Sequence, residues 1–151
     1  MWDKIVQCLM FNVSNIEMAG FKSFEDMDVW KLARSLSLKV YKLSSRQPFF
    51  NDFALRDQIR RAVISISSNI AEGFEREGNK EFVQFLSIAK ASTAEVRSQL
   101  YLAFDLGYIN NEEFEQLKLE TLNVGKTISG LIKYLRSSEL KGSKYSANIE
   151  L

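Results

Sequence analysis

The residues best placed to do chemistry lie along one line. Arg61, Ser65, Ser68 and Glu72 follow at i, i+4, i+7 and i+11, with Gln58 just before them, so on a helix all of them project from one face. If the fold brought Glu95 beside Glu72, the two carboxylates could form a general acid–base pair. A second reading treats the same line as a structural seam. Arg61 and Glu72 are separated by eleven residues, about 16 Å of helix, too far for a direct bond. Each then needs a partner on another helix, and Glu95 is the candidate for Arg61. This second reading is favoured: Gln58, Arg61, Ser68, Asn69, Glu72 and Glu95 are expected to form a buried, paired polar network, and no residue is assigned a catalytic role.

The other chemistry on offer is phosphate binding. Basic residues fall on helical faces at Lys39, Lys42 and Arg46, then Arg56 and Arg60, then Lys90 and Arg97. Acids such as Asp57 and Glu95 are interspersed, and the formal net charge is only +1. That balance excludes a protein that coats nucleic acid by bulk charge, while a local basic patch survives it. Lys39, Lys42, Arg56, Arg60, Lys90 and Arg97 are the candidate RNA contacts.

What is missing narrows the chemistry further. There is no histidine, which removes the commonest general base and metal ligand. It also excludes small helical ribonucleases built on an Arg-x₄₋₆-His motif and the Glu-x-x-His pairs of diiron bundles. The one cysteine, Cys8, allows no intrachain disulfide, cysteine-rich zinc site or iron–sulfur cluster, and suits a reducing, cytoplasmic setting. No phosphate-binding glycine loop or dinucleotide fingerprint is present. The reading is a non-enzyme with no cofactor.

The elements that must position these residues read as four helices. Ser23 is placed as an N-cap ahead of Glu25 and Asp26, and Val29, Leu32, Leu36, Val40 and Leu43 then recur at three- and four-residue steps, widened by Trp30, Ala33 and Tyr41. Gln47-Pro48 ends that pattern. Asn51 or Asp52 caps a second helix carrying Leu55, Ile59, Ala62, Val63, Ile66 and Ile70, with Gly73 and Gly78 bracketing its exit. From Asn79 the stripe is Phe82, Phe85 or Leu86, Ala89, Thr93, Val96, Leu100 and Ala103, and Gly107 is a natural stop. Asn110 with Glu113 has capping-box spacing. Phe114, Leu117, Thr121, Val124, Ile128, Leu131 and Leu135 follow in a strict alternation of three and four, the pattern of bundle packing. No segment alternates as a strand does.

The expectation is an all-α, antiparallel up-down four-helix bundle over residues 23–136. Residues 1–22 form an N-terminal extension, of which 1–17 are either an addition or a short amphipathic helix. Residues 137–151 read as a flexible C-terminal tail. No apolar run is long enough for a membrane span. Apolar residues outnumber what one stripe per helix needs, at Leu38, Ile88, Leu102, Phe104, Leu119, Leu122 and Ile132. This surplus points to a homo-oligomer. Gly125 and Gly130 inside the fourth helix imply close approach of another backbone, for which Ala89, Ala91, Ser92 and Ala94 offer a thin surface.

An ordered series of motifs carries a resemblance. Phe24-Glu25-Asp26-Met27-Asp28-Val29-Trp30-Lys31-Leu32-Ala33 is followed by Gln58-Ile59-Arg60-Arg61-Ala62-Val63, Ser68-Asn69-Ile70-Ala71-Glu72-Gly73-Phe74 and Glu81-Phe82-Val83-Gln84-Phe85-Leu86. Asp105-Leu106-Gly107-Tyr108-Ile109 and Val124-Gly125-Lys126 continue it. Over roughly Phe21 to Arg136 the chain resembles the four-helix-bundle family of bacterial 23S rRNA intervening-sequence proteins. That family is similar in fold to the accessory proteins of diversity-generating retroelements, pentameric barrels that bind nucleic acid and a reverse transcriptase. The resemblance implies a cytoplasmic bacterial protein, a pentamer, and RNA or an RNA-handling protein as partner; it supplies no catalytic residue. One departure is Ser67, where the family has proline. The alternative function is a protein-binding scaffold without affinity for nucleic acid.

Overall fold

A computed structural model describes residues 21–76 and 78–146. The helices are α1 (Asp28–Ser44), α2 (Phe53–Glu75), α3 (Asn79–Asp105) and α4 (Asn111–Ser146), with no strand among the described residues. Side-chain pairings give the directions. Ser37 donates to the Val63 carbonyl, and Arg60 to Ser44. Gln58 meets Glu95 and Ser65 meets Ser92. Tyr101 packs on Phe114, and Asn79 reaches Ser138. Arg46 near the end of α1 pairs with Glu113 near the start of α4. In each pair one number rises as the other falls, so every neighbour is antiparallel and the chain runs up and down around one core.

The core is made of the expected stripes. Val29, Leu36 and Val40 of α1, and Ile59, Val63, Ile66 and Ile70 of α2, are buried. So are Leu86, Ala89, Val96 and Leu100 of α3, and all seven stripe positions of α4 from Phe114 to Leu135. In α3 it is Leu86, not Phe85, that points fully inward. Thr121 is buried without orphaning its hydroxyl, which donates to the Leu117 carbonyl at 2.7 Å.

The turns explain several motif residues. Asp52 caps α2, its Oδ1 accepting from the Leu55 amide at 3.1 Å, while its Oδ2 accepts from the Tyr108 hydroxyl at 3.0 Å. The α1–α2 and α3–α4 loops are thereby tied together, and Phe49 stacks on Tyr108 at 5.2 Å. Gly107 has φ +75. Its amide bonds to Phe104 and that of Tyr108 to Ala103, the left-handed glycine closure of a helix C-terminus. Asn110 and Glu113 form the reciprocal capping box: Glu113 N–H donates to Asn110 Oδ1 at 2.8 Å, and Asn110 N–H to Glu113 Oε2 at 3.0 Å.

Three boundary expectations are corrected. Ser23 does not cap α1. A 3-10 turn, Phe24–Asp26, comes first, and Met27 is the residue preceding the helix, because its buried side chain is needed in the core. Phe21 also packs against that core, two positions ahead of the expected boundary. Gly73 and Gly78 do bracket the exit of α2 at Glu75, and Gly73 is in addition buried against α3. The backbone helix of α4 runs on to Ser146, ten residues past Arg136 into the segment expected as a tail. It contains no proline, and each added residue extends an existing hydrogen-bond ladder whether or not an apolar stripe accompanies it. The expectations for residues 1–20 and 147–151 lie outside the described residues. Ser67 leaves α2 uninterrupted, its hydroxyl donating to the Ile64 carbonyl.

Candidate nucleic-acid interface

The polar stripe of α2 is two small groups on a solvated face. Arg61 donates to Gln58 at 2.9 Å, Gln58 donates to Glu95 at 2.6 Å, and Gln99 donates to the same Glu95 oxygen at 3.2 Å. Arg61 therefore reaches Glu95 only through Gln58, and Arg61 and Gln58 are exposed. One turn on, Asn69 donates to the carbonyl and hydroxyl of Ser65, which takes a bond from buried Ser92. Ser68 is exposed. Glu72 belongs to neither group; it is more than half exposed and pairs with Arg76 at 3.1 Å. The expectation of one buried network is corrected to this. The stripe lies at the rim of the α2–α3 contact, where water competes for every charge.

The predicted basic residues divide in the same way. Lys39 is bound to Glu120 at 2.6 Å. Arg46 meets Glu113 at 2.7 Å, and its guanidinium, together with the Asn110 amide, holds the Glu113 carboxyl below the usual range against the opposing effect of burial. Arg56 is bonded to Asp57 and to the Phe50 carbonyl, between the rings of Phe50 and Phe53. Arg60 lies over Tyr41, with bonds to Ser44 and Ser45. These four fasten α1 and its loop to the rest of the bundle. Lys42, Lys90 and Arg97 make no ion pair among the described residues.

Lys90 is not alone. It lines a groove of about 590 Å³ between α3 and α4 with Ser87, Ala91, Ala94, Ser129, Ile132, Lys133 and Arg136. Among the described residues, three cations and no carboxylate line it. The cause is legible in the chain: α3 has no acid from Phe82 to Ala94, and α4 has none from Thr121 to Ser138, a stretch that carries Lys126, Lys133 and Arg136. These two segments pack against each other, and Gly125 lets them close, since a Cβ there would lie 3.1 Å from Thr93 Oγ1. Small residues make the floor. Lys133 and Arg136 are not among the six candidate contacts; the signal that finds them is the pair of acid-free runs.

Chemically the groove offers positive charge and hydroxyls to an anion. Among the described residues no three carboxylates or thiols cluster as a metal site would require. No helix among them is long and apolar enough to cross a membrane.

The profile of the family described as 23S rRNA-intervening sequence protein matches residues 25–130. The chain belongs to that family. A crystal structure at 1.70 Å of a Bacteroides thetaiotaomicron protein of unknown function, from the S23 ribosomal protein family, shares the fold with TM-score 0.64 and 24% identity. The match covers 70% of this chain and 98% of that one. A comparison with curated proteins finds no match. Within this intervening-sequence protein, several motif residues that carried the resemblance prove architectural. Gly107 and Tyr108 close α3, Asn69 bridges α2 to α3 through Ser65, and Gly73 and Gly125 are close-approach points.

Proposed function

We propose that this intervening-sequence protein is a non-enzymatic, cytoplasmic RNA-contacting module that holds phosphates in the α3–α4 groove and works as a homo-oligomer. The observation that carries the reading is the groove itself: Lys90, Lys133 and Arg136 surround one concavity that no acid lines among the described residues. Phosphate contacts of this kind position a nucleic acid without reading its sequence. Repetition of a three-cation groove around an oligomer multiplies a weak contact by avidity. Assembly has its own support on α3. Ile88 and Leu102 are each about half exposed, and at helical spacing they share the edge that includes Glu95, facing α2, roughly opposite the Lys90 edge around the exposed arc. Subunits can associate there and leave the groove open. Five is the number the family resemblance implies.

The test is a filter-binding titration with structured rRNA fragments between about 50 and 200 mM salt. Three phosphate contacts per groove give a log–log slope of about −2 to −3 for each groove engaged. Lys90→Glu with Lys133→Glu should flatten that slope and leave the melting temperature unchanged, since neither side chain is in an ion pair among the described residues. Absence of retention at micromolar protein and low salt refutes the RNA reading in favour of a protein partner. Light scattering that reports a monomer at micromolar concentration refutes the assembly.

A further inference from the structure

We infer that the RNA lying in this groove is single-stranded and that Tyr101 receives one of its bases; the inference rests on the RNA reading above. With 100° per residue, Ser87, Lys90, Ala94, Arg97 and Tyr101 fall within a narrow stripe of α3. Across from them Arg136, Lys133, Ser129, Leu122 and Lys118 run the opposite way along α4. The two stripes face each other at the groove and again at the far end, where Tyr101 meets Phe114 with centroids 4.8 Å apart and planes at 68°. From Arg136 to Lys118 the seam is 18 residues, about 27 Å long. It begins with cations, passes Arg97 and ends on an aromatic ring.

Tyr101 is 47% exposed, while Phe114 and Phe104 stack on each other at 4.8 Å behind it. Lys118 leans over the Tyr101 and Phe114 rings, with its own charge met by Glu115. The ring is thus held in place before any ligand arrives, which lowers the ordering cost of a contact made on it. A cationic track that ends on a fixed aromatic surface is the arrangement that binds single strands: phosphates follow the charge and a base stacks on the ring. Duplex bases are stacked on one another and cannot reach a ring on the protein surface.

The full-length protein is titrated by fluorescence anisotropy with a labelled oligoadenylate of about twelve nucleotides, within the site sizes of such tracks, and with a hairpin of equal phosphate count. Wild type should prefer the oligoadenylate. Tyr101→Leu should weaken oligoadenylate binding about fivefold or more, the loss of one base stack, and leave hairpin binding and the salt slope unchanged. Tyr101→Phe should restore wild-type affinity, and Tyr101→Trp, with a larger ring face, should exceed it; this gain is a readout that no destabilised variant mimics. Equal affinity for the two probes, or a Tyr101→Leu variant indistinguishable from wild type on oligoadenylate while Lys90→Glu with Lys133→Glu loses both, overturns the single-strand inference and leaves the RNA reading standing. Failure of both probes to bind overturns both.

Discussion

Gly73→Ala tests how closely α2 packs against α3. A Cβ at Gly73 would sit 2.6 Å from Phe85 Cβ and 2.9 Å from Phe82 Cδ2, where ordinary carbon contacts begin at about 3.5 Å. Phe85 Cβ is fixed to its own backbone, so no rotamer change relieves the first clash. The Phe82 ring is 3% exposed and held edge-on by Phe74 at 6.1 Å, so it cannot swing into solvent either. The helices must separate locally, a strain of about 1–3 kcal/mol for one added methyl group in a packed site. Alanine regains about 1 kcal/mol of helix propensity over glycine. Since one clash is anchored to backbone, the upper half of the strain range applies, and a net loss of about 1–2 kcal/mol follows. For a bundle of this size that is about 4–8 °C in melting temperature. The assay is thermal circular dichroism at matched protein concentration, because assembly makes melting concentration-dependent. Gly125→Ala is the control. Its Cβ would lie 3.1 Å from Thr93 Oγ1 and 3.9 Å from Thr93 Cβ, a milder clash, and with the propensity gain of about 1 kcal/mol its loss should be smaller than that of Gly73→Ala. If Gly73→Ala melts at or above wild type, the close approach of α2 to α3 is refuted.

Two further perturbations separate fastened charges from solvated ones. Glu113 is held below its ordinary titration range first by the Arg46 hydrogen bond and then by the Asn110 amide, so its stabilising effect is complete above the unfolded carboxylate pKa of about 4.3 and disappears as pH falls through the lower folded value; Glu113→Gln should flatten the acid side of the melting-temperature profile and change little near pH 8 beyond the lost ion pair. Arg61→Ala and Glu72→Ala should each stay within about 0.5 kcal/mol of wild type in denaturant melts, as exposed charges do, and a loss of about 2 kcal/mol in either would restore the buried network.

The fold was legible because its information is local and redundant. Every stripe position of α4 is apolar or threonine at a three–four alternation, and burial selects that periodicity directly. The Asn110–Glu113 box and the Gly107 stop needed only spacing and residue type. What was not legible depended on the third dimension. Arg61, Ser68 and Glu72 share a face by periodicity, but periodicity does not say how far that face turns from the axis of the bundle, and it turns into solvent. Gly73 sits beside Glu75 near the end of α2, where a glycine reads as an exit; only the opposing Phe85 and Phe82 give it another purpose. The groove is the most instructive case. Its cations come from two helices whose contacting segments are some forty residues apart, so Lys90 is a candidate on its own helix while Lys133 and Arg136 across the seam are not. The relevant quantity was the absence of acids along two runs that an antiparallel α3–α4 pair must bring into register. Once the fold was deduced, that absence was already visible. A bundle's functional face is set by which polar residues its core stripes leave adjacent across a seam, so the core pattern, read for pairs of helices instead of one at a time, carries the site as well as the fold.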